Sequence, residues 1–319
     1  MKTIIAVAFA VLLVLAPQAR AQTAVVFGWG PFPDVPAIAE AQQNDLWKAQ
    51  NLAVKIIPFA TGRDAFEALI GGQLDFAIMA EFPAVTGTMR NLKFAIPAVL
   101  AEYKSFRLIV KSDTPITGLA QLAGKKIAMP LGTNVHFIIA DALKAQGVKA
   151  ELVNVAPPDM GPALVRGDVD AAATFPSAYP GLKKTLGAKY QEIKLAGYSS
   201  SFILVASEKA AADPALVQRV LAALVQGDAL VFKDETAAQA VTAAYVNKAV
   251  SPEAIAAAWP DYDHHVRLDQ ETLDLMVREG TWLRAEGFVK QGTPSVELFR
   301  KMFMPGPLKA LSPDSVTIH

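Results

Sequence analysis

The sequence predicts an α/β protein of two similar lobes, each a mostly parallel sheet flanked by helices. A fourteen-residue pattern occurs twice, as DAFEALIGGQLDFA from Asp64 to Ala77 and as DMGPALVRGDVDAA from Asp159 to Ala172. An apolar strand precedes each copy, at Val54–Phe59 and Glu151–Val155. A strand, helix, strand succession of this kind builds a right-handed βαβ unit. The shared letters follow structural role as well as composition: Asp64 and Asp159 as helix N-caps, an Ala-Leu-Ile/Val face for burial, Gly72 and Gly167 as stops, and Asp75 and Asp170 opening the second strand. Parallel sheets bind ligands at the carboxyl ends of their strands. Both second strands run into a Phe-Pro pair, Phe82-Pro83 and Phe175-Pro176, so lobes that face each other aim comparable loops into one cleft.

Taken in order, residues 1–21 read as a secretory signal. Lys2 supplies charge, Ile4 to Leu15 an apolar run too short to span a bilayer, and Ala19-Arg20-Ala21 a cleavage site that would leave Gln22 at the N-terminus. No other run in the sequence reads as a transmembrane segment. The first part of lobe one covers 22–110. It holds a strand at Ala24–Phe27, the turn Gly28-Trp29-Gly30-Pro31, a helix capped by Asp34 and running towards Trp47, and Asn51 in a left-handed position. Apolar runs at Phe94–Leu100 and Phe106–Val110 follow the first repeat. Lobe two covers 111–203, with a strand at Lys126–Met129, the turn Pro130-Leu131-Gly132 and a helix from Thr133 to Gln146 whose apolar positions keep helical spacing. The chain returns to lobe one through Phe202–Ala206. Residues 204–319 complete that lobe as helices, with Asp213-Pro214 and Ser251-Pro252 as two starts. Two crossings, near Arg107–Lys111 and Ser201–Ser207, predict a two-strand hinge.

The chain of 319 residues carries 30 basic and 30 acidic residues and no cysteine. The absence of cysteine excludes a lipid-anchored lipoprotein, disulfides, thiolate metal sites and cysteine nucleophiles. Without a basic run to follow a phosphate backbone, nucleic acid is not an expected partner. Export, solubility and neutral charge together point to the periplasm of a double-membrane bacterium.

Several residues are candidates for ligand contact. Gly132-Thr133-Asn134 opens a helix, where unpaired N–H groups and the positive end of the helix dipole favour an anion; a plain N-cap is the competing reading. Trp29, Phe82 and Phe175 fall just past strand ends and either clamp an apolar ligand body or pack the lobes. Glu81 either pairs with a ligand amine or is solvated, Arg63 either pairs with a carboxylate or is a surface residue, and His136 lines the cleft or caps its helix. Asp75 and Asp170 lie at strand beginnings, away from the ligand ends, and are given a structural role. Asp261, Asp263, His264 and His265 have metal-ligand chemistry, but adjacent histidines on an extended segment point to opposite sides. No metal and no cofactor are expected.

The segment GKKIAMPLGTNVHFIIADALKAQGV, followed by the second repeat copy, closely resembles type II periplasmic substrate-binding proteins of ABC importers. The similar subgroup serves sulfonates such as taurine, nitrate and thiamin-pyrimidine precursors. The resemblance implies a two-lobed binding-protein fold, capture of a small-molecule ligand, delivery to an ABC permease in the inner membrane, and a monomer. It carries ligand loops over onto Gly28–Pro31 (with Trp29 and Gly30), Ala80–Pro83, Gly132–His136 and Thr174–Ser177. Sulfonate binders commonly have Trp-x-Pro in the last loop, where this chain has Phe175-Pro176-Ser177, so taurine itself is not carried over. The expected ligand is a small organic anion or heterocycle: sulfonate-, aromatic carboxylate- or pyrimidine-like. The alternatives are an enzyme on the same fold, of pyrimidine-synthase or lyase type, and a ligand-loaded partner of a membrane sensor. The sequence lacks Gly-x-Ser-x-Gly, phosphate-loop, Gly-x-Gly-x-x-Gly and His-Glu-x-x-His motifs, which disfavours the enzyme.

Overall fold

The structure, a computed structural model, describes residues 21–30, 32–246 and 250–319. The predicted signal up to Arg20, and Pro31 of the first loop, lie outside the described residues. Eleven strands are present among the described residues: β1 (Thr23–Gly28), β2 (Leu52–Ile57), β3 (Phe76–Ala80), β4 (Phe94–Tyr103), β5 (Arg107–Lys111), β6 (Lys126–Met129), β7 (Glu151–Asn154), β8 (Ala171–Ala173), β9 (Tyr190–Lys194), β10 (Ser200–Ser207) and β11 (Tyr262–Asp263). They form two sheets, ordered β2-β1-β3-β10-β4-β11 and β7-β6-β8-β5-β9.

The sheets share a plan, and that plan is mixed, not mostly parallel. In each, three strands pair in parallel, β2-β1-β3 and β7-β6-β8. The next strand is antiparallel to both its neighbours: β10 lies between β3 and β4, β5 between β8 and β9. That antiparallel strand is the one that has just arrived from the other lobe. The crossings therefore fall at 104–106 and 195–199, just before the strands predicted to be crossings themselves. β5 and β10 are instead interior strands with buried centres.

The repeated aspartates explain why the pattern recurs. The Asp75 carboxylate accepts the Val26 N–H at 2.9 Å, while the Asp75 N–H donates to the Val26 carbonyl at 2.9 Å. Asp170 makes the same pair of bonds with Lys126, both at 2.9 Å. Each aspartate thus extends a parallel ladder by one residue ahead of its own strand, satisfying backbone groups that would otherwise be left at the sheet's rim. The helix caps differ from expectation. Thr61 caps the Gly62–Ile70 helix by accepting the Asp64 N–H, and Asp64 sits inside the first turn. The Pro157–Arg166 helix follows Ala156 without a side-chain cap, which puts Asp159 in its first turn as well. Gly72 and Gly167 stop their helices with positive φ, and Asn51 is left-handed, as expected. The helix predicted from Asp34 to Trp47 is two pieces, Pro36–Gln43 and Leu46–Ala49, separated by the left-handed Asp45. Asp34 does not cap the first piece; Val35 holds that position.

The C-terminal helices wrap sheet one. Pro214–Lys233, capped by Asp213, lies on Pro36–Gln43. Gly227 sets their approach, since a Cβ there would meet the Ala37 carbonyl oxygen at 2.4 Å. In length and hydropathy this helix could cross a membrane, contrary to the sequence reading. It buries Val217, Val220, Leu221, Leu224 and Val231 inside the fold, which accounts for its apolarity. Gln270–Ala285 packs on the Phe82–Met89 helix.

Candidate functional site

One cavity of about 370 Å³ opens between the two sheets. Each of the six parallel-paired strands sends residues from its carboxyl end into the wall: Trp29 and Gly30 after β1, Phe59 and Arg63 after β2, Ala80 and Pro83 at β3, Pro130 to Asn134 after β6, Asn154 to Pro157 at β7, and Phe175 and Ser177 after β8. Phe202 of β10 joins them because an antiparallel strand begins where its neighbours end. The size suits a small organic molecule.

Much of the wall is aromatic. Trp29 meets Phe32 edge-on at 5.2 Å and Phe202 edge-on at 6.2 Å. The indole Nε1–H of Trp29 is buried and has no hydrogen-bond partner among the described residues. Such a donor in a cavity wall is left for a ligand or water.

The lobe-two rim is the start of the Asn134–Ala145 helix. Thr133 stands at the N-cap, but its hydroxyl donates to the Pro130 carbonyl at 2.7 Å and does not cap the helix. The first-turn N–H groups are therefore not satisfied by a side-chain cap and carry the positive end of the helix dipole at the cavity. The competing cap reading thus fails for Thr133. The Asn134 amide donates to the Ser200 hydroxyl at 2.8 Å, a bond between the lobes. From lobe one, Arg63 reaches across to the Leu131 and Gly132 carbonyls at 3.0 and 2.5 Å. Gly132 has φ +72°, and a Cβ there would lie 2.7 Å from the Arg63 guanidinium, so glycine is needed for both backbone and approach. Arg63 is the one basic side chain among the described wall residues.

Asp34 is the buried acidic group of the wall, 4% exposed. Tyr262 donates its hydroxyl to one carboxylate oxygen. Burial raises Asp34 to about 6, against the lowering effect of that hydrogen bond.

Of the predicted residues, Trp29, Gly30, Gly132, Thr133, Asn134, Phe175 and Ser177 come together in this wall, and Glu81, Phe82 and His136 do not. β3 leads directly into the Phe82–Met89 helix, which turns Phe82 inward against Trp282 at 6.1 Å. In lobe two, Thr174 and Phe175 stay extended before the next turn and leave Phe175 half-buried at the cavity. His136 accepts the Gly132 N–H at Nδ1, 3.1 Å, and packs between Trp282 and Phe288. Burial lowers its pKa, consistent with the neutral ring that this acceptor role requires.

Glu81 is fully buried. One oxygen accepts the Ser200 hydroxyl at 2.8 Å and the Ser201 N–H at 2.6 Å. Beside it lies Glu279, also buried and without another partner. Burial first, and then the neighbouring Glu81, push Glu279 well above the usual carboxylate range. Glu81 has two donors and Glu279 none, so the proton resides on Glu279 and is shared with Glu81.

Phe32, Phe59, Asp34 and Phe202 also line the wall and are not among the residues that the sequence marks for ligand contact. Only Phe202 had a usable signal, its place at the start of a returning antiparallel strand. The Asp261–His265 segment is engaged elsewhere. Asp261 pairs with Arg107, Asp263 with His265 and Lys104, and His264 is buried against Trp259 and Tyr262. No group of three or more His, Asp or Glu among the described residues is placed to hold a metal ion.

The profile of the NMT1/THI5-like family matches residues 33–238. A taurine-binding periplasmic protein of Escherichia coli (strain K12) is 26% identical over 152 residues, which are 47% of this chain and 47% of that protein. The chain thus matches about half the length of this relative. Among solved structures, the alkanesulfonate-binding protein SsuA from Xanthomonas axonopodis pv. citri bound to MOPS superposes with a TM-score of 0.74 at 19% identity, covering 90% of this chain and 100% of that one. The desulfurization enzyme DSZB superposes with a TM-score of 0.68 at 16% identity, covering 91% and 98%. The fold is that of periplasmic binding proteins, and it also carries an enzyme.

Proposed function

The chain belongs to the NMT1/THI5-like family, and from that premise we propose that it is the periplasmic solute-binding component of an ABC importer, capturing a small organic anion between its lobes. It works as a monomer, hands its ligand to a permease in the inner membrane, and performs no chemistry on it. The observation that carries this reading is the bias of the cavity towards donors. Trp29, whose buried indole N–H has no partner among the described residues, Arg63 with its guanidinium, and a helix start without a side-chain cap all belong to the wall of one aromatic space. An indole donor without a partner, a guanidinium at the wall and a helix start without a side-chain cap suit a sulfonate or carboxylate, and the aromatic wall suits its organic body.

A catalytic reading finds little here. Among the described residues, the histidine nearest the cavity rim, His136, is occupied by the Gly132 N–H, and the wall hydroxyl held by a carboxylate, Thr61 on Asp64 at 2.8 Å, is spent on capping the Gly62–Ile70 helix.

A thermal-shift panel of organic sulfonates, aromatic carboxylates, pyrimidines, nitrate and bicarbonate tests the reading. An organic anion at a hundred times its dissociation constant adds about 2.7 kcal/mol of stability. Arg63→Met is expected to weaken that ligand about tenfold, the lower end for a charge-assisted hydrogen bond, because Arg63 is exposed. Stabilisation by nitrate or bicarbonate alone would overturn the organic-anion reading. Turnover of a bound compound would overturn the assignment as a binding protein.

A further inference from the structure

We propose that Asp34, braced by Tyr262, makes the cavity selective for anions that carry an N–H donor away from their anionic group, an ammonium above all. The inference rests on the reading of the cavity as an organic-anion site and names which anions it takes.

Asp34 lies in the loop between β1 and the Pro36–Gln43 helix, among Trp29, Phe32, Pro33 and Val35. A carboxyl in such a setting usually caps the following helix, but this one does not. Its carboxyl has one side-chain partner among the described residues, the Tyr262 hydroxyl on Oδ1. The residue nevertheless borders the cavity. Beyond that hydroxyl only its own backbone N–H supports the carboxyl, and burying a carboxyl with so few donors is costly. A cationic ligand group would remove that cost, because it supplies the missing charge and donor together.

The cavity's own cation does not serve. Arg63 directs its bonds to the Leu131 and Gly132 carbonyls, and among the described residues Asp34 is in no ion pair. The wall thus holds acceptor chemistry at Asp34 and donor chemistry at Trp29, Arg63 and the helix start. A ligand with an anion and an ammonium satisfies both. The charged and titratable groups around Asp34 are Tyr262, then Tyr103 and His264 behind that ring, and Arg63 and Asp64 in the cavity wall. His264 is held down to about 4 by burial, so it stays neutral above pH 5. Because Asp34 is raised to about 6, an ammonium ligand binds its ionised form, and affinity rises as pH increases through that value.

A simpler role for Asp34 is to anchor Tyr262 alone. That role would affect all anions equally, which makes the two separable. The probes are matched pairs, 3-aminopropanesulfonate against propanesulfonate and 4-aminobutyrate against butyrate, titrated calorimetrically into the full mature chain between about pH 5 and pH 8. The expected result is about tenfold or greater preference for the aminated member, growing with pH and lost in Asp34→Asn. Tyr262→Phe, which removes the brace but keeps the carboxyl, should weaken the aminated probes at pH 7 and leave the others unchanged. Equal binding of both members, or a preference that survives Asp34→Asn, overturns the proposal while the anion reading stands. If none of the four probes binds while another organic anion of the panel does, the proposal falls and the anion reading stands.

Discussion

At Asp228 a single carboxyl sets a pH dependence. One oxygen accepts the Val266 N–H at 3.2 Å, and the other is buried with no partner among the described residues. Burial raises the group to about 7. Its folded pKa lies above the ordinary 3.8, so its contribution to stability is fully present below about pH 4 and is lost as pH rises towards 7. Asp228→Asn keeps an acceptor for Val266 and removes the titration. The variant should therefore gain on the parent between pH 4 and pH 7, by up to about 4 kcal/mol, and hold that gain above. Urea melts of both proteins across this range check it. His264, lowered to about 4, works in the opposite direction over the same window, which is why the difference between variants is the quantity to read. None of this was visible in the sequence. Asp228 sits on a long amphipathic helix like any solvated acid, and only the fold packs the segment at Val266 over it.

Among the elements, the Ser200–Ser201 end of β10 joins the lobes. Asn134, from the start of the lobe-two helix, donates to Ser200, which donates to Glu81 at the end of β3, and Glu81 shares a proton with Glu279 of the Gln270–Ala285 helix. Glu81→Ala leaves the Ser201 N–H and the Glu279 acid unpaired in the interior, and should cost about 2–3 kcal/mol in urea unfolding. Glu279→Gln keeps a donor towards Glu81 and should cost less than about 1 kcal/mol. Equal losses for the two would contradict a proton placed on Glu279. The elements were more legible than their joints. Strand and helix positions followed from apolar periodicity, and the repeated Asp-to-Asp segment marked equivalent units because its aspartates close equivalent ladders. The caps were misread because Asp64 and Asp159 suit a first helical turn as well as an N-cap, and β5 and β10 because an apolar run gives no strand direction. Glu81 and Phe82 were assigned to the cleft by analogy with Phe175, yet the helix beginning at Phe82 turns that pair into the core.

In the whole molecule, the chain crosses between sheets twice, at 104–106 and 195–199, and each crossing delivers a strand into the middle of the receiving sheet. This exchange anchors both lobes to two short crossing segments and places all six parallel-paired strand ends around one cavity, so the candidate site is a property of the topology before it is a property of any side chain. Which groups fill that site depends on long-range packing. Arg63 and Gly132 stand 69 positions apart and yet are in contact, as are Asp34 and Tyr262 across 228; such pairings leave no periodic trace. The most direct test of the account is a crystal structure grown with the organic anion that stabilises the protein most. The account predicts the anionic group within hydrogen-bond distance of the Asn134–Ala145 helix start or Arg63, with the organic body against Trp29 and Phe202. Density for the ligand outside the cavity between the two sheets, or an anionic group facing away from both Arg63 and that helix start, would contradict it.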